Sequence, residues 1–179
     1  MKHPTDYALC LTIIATMAIA VPAMAADPTV IMHKATQVGT GADLGTIVIA
    51  RSEVGATFKL NLHGLLPGPH GFQVHENGNC SPILMNGTRI PGGAAGSHFD
   101  PDHTYKHEGP TGDGHLGDLP VLVAEADGTA TQTLTAPRIN DTDVLKLRAL
   151  VIHAGGDTYS DSPSPLGGGG GRFACGVIE

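Results

Sequence analysis

From Thr29 onward the chain is a succession of short segments in which apolar and polar residues alternate or β-branched residues cluster. The segments are TVIMHK (29–34), GTIVIA (45–50), ATFKLNL (56–62), GFQVHE (71–76), VLVAEA (121–126), TATQTL (129–134), RALVIH (148–153) and RFACGVI (172–178). Alternation with period two marks a strand with one face buried. Helical periodicity is weak throughout this part. Turn chemistry separates several of the runs: PGPHG precedes the fourth, and Asp127-Gly128 divides the fifth from the sixth. Eight short strands in a chain with 25 glycines and 13 prolines predict an all-β sandwich or barrel.

Two stretches match no strand. One runs from about Asn77 to Pro120 and the other from about Ala154 to Gly171. Connections this long inside a compact domain are usually functional or disordered. The first is dense in His, Asp and Gly between prolines. The second contains PSPLGGGGG and ends just before the run bearing Arg172 and Cys175, which predicts a loop packed closely against its surroundings. There is no internal repeat.

The amino terminus changes the picture of where this domain works. Lys2 precedes an apolar run, Ala8 to Val21, followed by Pro22 and the small-residue end Ala23-Met24-Ala25. That is the pattern of a secretory signal, with cleavage expected after Ala25. The expected organisation is a signal at 1–25 and one domain at 26–179. The run is short for a membrane span, and no later stretch approaches the ~20 residues one needs. Cys10 leaves with the signal. Cys80 and Cys175 remain in an exported protein, so a disulfide between them is expected. The formal charge is −7, with no basic run and few aromatic residues (Trp 0, Tyr 3, Phe 4), which argues against nucleic-acid binding.

The unusual feature is the 10 histidines. His98, His107, His115 and Asp118 fall in the first long loop. Three imidazoles and a carboxylate make a closed tetrahedral set suited to Zn²⁺; a polar, solvated loop is the alternative. In GHLGD, the glycine between His115 and Asp118 lets the chain turn both side chains inward. His75 and His153 each end an apolar strand. Such residues are commonly core-edge histidines, but beside a His-rich loop they suggest a nitrogen-rich copper site.

The chain resembles the copper,zinc superoxide dismutases, in particular their periplasmic bacterial branch. The resemblance covers essentially the whole of 26–179. It rests on GFQVHENGNC, GSHFDP, KHEGP, GHLGDLP, APRI, VIHAGGDTYSD, PLGGGG and RFACGVIE. It implies an eight-stranded Greek-key β-barrel with two long functional loops, copper and zinc as cofactors, superoxide as substrate, a periplasmic location and, in many members, a homodimer. His98 then corresponds to the imidazole bridging the two metals. His107, His115 and Asp118 correspond to the remaining zinc ligands, and His75 and His153 to copper ligands. Asp157 corresponds to the carboxylate that ties a zinc-side histidine to a copper-side one, and Arg172 to the cation at the mouth of the copper channel. Cys80 and Cys175 match the family disulfide. His33, His63, His70 and His103 match no metal position.

One position departs from the pattern. Gln73 stands where the family has a fourth copper imidazole. An amide oxygen is a weak, hard donor poorly suited to Cu(I). Weakened copper binding and a shifted potential are therefore expected, with the zinc site intact; the amide NH₂ is available to replace the lost ring N–H toward Asp157. Three functions stay open at this point: a dismutase with a modified copper site, a zinc-stabilised protein that only carries or buffers copper, and a structural or interaction domain.

Overall fold

A computed structural model describes residues 27–179. The expected cleaved leader, 1–25, lies outside the described residues. The strands are β1 (Thr29–Thr36), β2 (Gly39–Ser52), β3 (Gly55–Leu62), β4 (Gly68–His70), β5 (Phe72–His75), β6 (Ile83–Met85), β7 (Thr88–Ile90), β8 (Leu122–Ala124), β9 (Thr133–Ala136), β10 (Ala149–His153) and β11 (Arg172–Val177). Three short 3-10 turns complete the regular structure, and no described helix is long and apolar enough to cross a membrane.

The alternation in sequence becomes alternation in burial. In β1, Val30 and Met32 point inward; in β3, Ala56, Phe58, Leu60 and Leu62 do, with Thr57, Lys59 and Asn61 facing outward. Seven strands form one antiparallel sheet in the order β5-β10-β11-β1-β2-β3-β9, and β4 pairs with β8. β4 and β5 are one strand broken at Gly71, so β8 extends the order beside β5. β8 and β9 stand at opposite ends of that order yet are joined in sequence by the Asp127-Gly128 turn, so the sheet curls on itself. The β3–β4 and β9–β10 connections run between strands that are not neighbours, as a Greek key requires. Phe58 and Phe72 meet edge to face at 5.7 Å in the interior.

The eight expected strands are thus the barrel, with two changes. The sixth is displaced: pairing with β3 runs over Thr133–Ala136, and only Ala130 of the earlier segment bridges, to Leu62. The loop expected to be strandless from 77 to 120 carries a hairpin, β6–β7. Its two-residue turn, Asn86-Gly87, has positive φ at both positions (50° and 77°), the conformation that matches strand twist and favours Asn-Gly. That dipeptide was the available signal.

β5 is buried at every position, so both of its faces are covered. Phe72 and Val74 fill the barrel; Gln73 and His75 point outward beneath the first long loop. The loop is pinned there by the Cys80–Cys175 disulfide, with Cα atoms 5.7 Å apart across 95 residues of chain. Replacing both cysteines with serine should lower the unfolding free energy by about 4 kcal/mol through the unfolded chain's regained entropy. Denaturant titration of the oxidised and doubly substituted proteins measures this; equal midpoints would contradict it.

Candidate metal centre

The site is assembled by stitching the first long loop onto β5. Val74 N donates to Gly117 O (2.9 Å), and Gly117 N donates to Phe99 O (2.8 Å). Isolated bridges join Gln73 to Asp118 and His75 to His98. Gly117 serves by close approach rather than by a turn: a Cβ there would collide with Val74 O. This sets His98, His115 and Asp118 over the outward face of β5.

His98, His107, His115 and Asp118 are all buried, and one ligand atom from each lies within 4.8 Å of the others. Asp118 is the hub. Its Oδ1 is 2.9 Å from His98 Nδ1 and 3.4 Å from His115 Nδ1; its Oδ2 is 3.0 Å from His107 Nδ1. Yet His107 Nδ1 and His115 Nδ1 make no hydrogen bond, although fully shielded from solvent. Buried polar atoms are rarely left without partners. Unpartnered nitrogens converging on one carboxylate are what a cation-binding cage offers, and three nitrogens with one oxygen suit zinc.

His75, His98 and His153 form a second set, again within 4.8 Å. The Nε2 atoms of His75 and His153 are 3.4 Å apart. Their other nitrogens are fixed by backbone carbonyls: His75 Nδ1 by Gly96 O (2.9 Å) and His153 Nδ1 by Gly170 O (3.0 Å). Such bonds orient a metal-ligating ring. His98 belongs to both sets. Its Nδ1 faces Asp118, and its Nε2 is buried without a partner. Three convergent imidazoles suit copper.

Asp157 links the two sets from behind. Its Oδ1 is 2.7 Å from His107 Nε2, and its Oδ2 accepts from Gln73 Nε2 at 2.7 Å. Gln73 thus fills the donor role toward Asp157 with its amide. Its Oε1 is left buried and unpartnered. The glycine run closes over this pair. Gly167 has φ +70°, and a Cβ there would strike the Asp157 carboxylate and the His107 ring; a Cβ at Gly169 would sit 3.0 Å from His153 Cβ. The second loop is packed as closely as its position before Arg172 and Cys175 predicts.

The two sets differ electrically in the metal-free protein. Burial pushes His75 well below its ordinary range, aided by His98 and opposed by the Gly96 carbonyl. Burial, with help from His98 and Arg172, brings His153 down to about 4. Both are neutral donors at pH 7. Burial would lower His107 as well, but the carboxylates of Asp118 and Asp157 outweigh it and raise it to about 9. Asp118 is held far below the usual carboxylate range: burial opposes this, and the adjacent imidazoles of His107, His115 and His98 prevail.

Arg172 lies beside the second set. Its Nη2 donates to Gly96 O at 2.5 Å, the same carbonyl that orients His75. Arg172, His75, His98 and His153 share a cavity of about 480 Å³ that opens to solvent. Among the histidines without an expected metal role, His70 is buried, with Nδ1 2.7 Å from His153 O and Nε2 2.7 Å from Leu66 O. It braces the strand end that presents His153. The position of its ring before His153's backbone follows from β5–β10 pairing and has no local sequence signal.

Residues 44–178 match the family model described as copper/zinc superoxide dismutase. The copper-zinc superoxide dismutase of Brucella abortus is 51% identical over 170 residues, which cover 94% of this chain and 98% of that protein. The solved structure of the Brucella abortus protein superposes with a TM-score of 0.83 at 52% identity, covering 84% of this chain and 98% of that one. The solution structure described as monomeric copper, zinc superoxide dismutase from Salmonella enterica gives 0.78 at 52% identity, covering 86% and 100%.

The raised His107 has two consequences. Its folded value, about 9, exceeds the ordinary 6.5, so its stabilisation of the metal-free fold is full below pH 6.5 and is lost as pH rises through 9. At pH 7 it is protonated, so zinc uptake should release about one proton from this residue. Calorimetric zinc titration in buffers of different ionisation enthalpy counts that proton; a heat independent of buffer would contradict it.

Proposed function

The chain belongs to the copper/zinc superoxide dismutase family, and we propose that it disproportionates superoxide at a copper-zinc centre whose copper is held by three imidazoles. His98, His107, His115 and Asp118 would hold zinc. His75, His98 and His153 would hold copper. The carrying observation is the double membership of His98, with Nδ1 toward one set and the unpartnered Nε2 toward the other.

When bound, copper would supply the one-electron oxidation and reduction of superoxide, and zinc would fix the shared imidazole. The remaining chemistry belongs to the chain. Arg172 presents a cation in the wall of the cavity, where it attracts the superoxide anion despite the net charge of −7, because a cleft focuses its local field. When it is not engaged by metal, His98 Nε2 would hold a proton and pass it to the reduced oxygen species. Gly96 O keeps Arg172 and His75 in register. Two superoxide anions and two protons give O₂ and H₂O₂. Asp157 holds His107 by its ring N–H and Gln73 by its amide, so the zinc side keeps its orientation although one copper imidazole is missing.

The work is assigned to the periplasm, supported by the signal-like 1–25 segment, the disulfide and the bacterial relatives. A homodimer rests on the branch resemblance alone, and the Salmonella enterica relative is described as monomeric. Gln73 favours a second reading: a member that keeps zinc and buffers copper with little turnover.

Gln73→His decides between the readings. Restoring an imidazole should tighten copper binding by about tenfold or more, within the range that ligand-shell changes span, and should raise the dismutation rate of the copper- and zinc-loaded protein. If the unaltered protein binds one copper yet dismutates no faster than free buffer while Gln73→His does, copper buffering replaces dismutation. Arg172→Ala should lower kcat/KM and flatten its dependence on ionic strength, measured by pulse radiolysis; an unchanged salt dependence would remove Arg172 from steering.

A further inference from the structure

The three copper-side imidazoles are buried, so copper must pass through the cavity that joins them to solvent. Its walls are the hairpin β6–β7 on one side and Leu166, Gly170, Gly171 and Arg172 on the other. Ile83, Ile90 and Leu166 make it largely apolar, and Arg172 places a cation in it. Among the described residues no carboxylate lines it. A hydrated Cu²⁺ ion therefore meets a positive, apolar entrance.

One metal-binding side chain lines this cavity besides the three histidines: Met85. It is 51% exposed and sits at the end of β6, immediately before the Asn86-Gly87 turn. The hairpin holds it in place. Ile83 packs on Gly93, so closely that a Cβ at Gly93 would lie 2.5 Å from Ile83 Cγ1, and the disulfide at Cys80 anchors the chain just before β6. A thioether is neutral and soft. It binds Cu(I) well and Cu(II) poorly, and it adds no charge that would pair with Arg172. A large apolar side chain left exposed in the same cavity as a buried unpartnered ligand, His98 Nε2, thus has a use that packing does not supply.

We propose that Met85 is a Cu(I)-capture ligand at the cavity mouth, which takes the ion from an external donor and passes it to His75 and His153. The inference rests on the copper assignment of those histidines. The step is a ligand exchange: the donor releases Cu(I), the Met85 sulfur binds it, and two neutral imidazole nitrogens displace the sulfur. No electron moves, because copper stays Cu(I) throughout the exchange. The missing imidazole at Gln73 makes such a soft auxiliary donor more consequential here, since Cu(I) has one nitrogen fewer to attract it inward.

The test is anaerobic transfer of Cu(I) from its bathocuproine disulfonate complex to the zinc-loaded protein, followed by the loss of the chelator's colour. Met85→Leu preserves the apolar volume and should slow transfer by about tenfold, which corresponds to about 1.4 kcal/mol in the transfer barrier. The final copper content should be unchanged. Loading with Cu(II) from a weak chelator should proceed at the same rate in both proteins, because a thioether contributes little to it. Equal Cu(I) rates would overturn the proposal. Equal slowing of Cu(I) and Cu(II) loading would also overturn it, since that marks a steric role for the hairpin. If neither protein takes up copper in either state, both the capture ligand and the copper site fall. Copper uptake with equal rates leaves the site standing and removes only Met85.

Discussion

The carboxylate of Asp157 joins three segments far apart in sequence. It accepts from Gln73 Nε2 on β5, from His107 Nε2 in the first long loop, and from the backbone of Tyr159 in the second. The carboxylate itself is shielded from solvent, and a carboxylate buried with donors missing would cost several kcal/mol. The Gly167 backbone packs directly against it, leaving no room there for a Cβ. His107, Gln73 and the glycine loop therefore adopt one arrangement together. The Gln73 carboxamide supports this arrangement by presenting an N–H to Asp157.

The other end of the Gln73 amide is placed differently. Once the Gln73 nitrogen is committed to Asp157, only its oxygen remains for anything else, and that oxygen is buried without a partner. The three imidazoles His75, His98 and His153 carry the copper assignment. They are neutral at pH 7, whereas His107 on the zinc side must give up a proton to bind metal. The protein thus holds one set ready for a soft or borderline ion and a second set whose affinity rises with pH.

The barrel was legible because its signal is local. Val30 and Met32, or Phe58, Leu60 and Leu62, alternate within a single segment, and burial follows. The loops were legible only through motifs. Nothing in the spacing of His98, His107, His115 and Asp118 shows that Gly117 slots between Val74 and Phe99, since that depends on pairing across the loop. The β6–β7 hairpin was readable from Asn86-Gly87 but was masked by three-residue strands, too short for periodicity. His70 carries no local mark at all; its role comes from lying against the backbone of His153, 83 residues away. Gln73 shows the opposite case. It is an ordinary polar strand residue until the surrounding constellation identifies what its position normally supplies.

X-ray absorption at the copper and zinc edges of the fully loaded protein addresses the shared arrangement most directly. Three imidazoles at copper, with three imidazoles and one carboxylate at zinc, are expected. A zinc shell lacking an imidazole, or a copper shell with fewer than three, would show that the Gln73–Asp157–His107 chain does not preserve the centre.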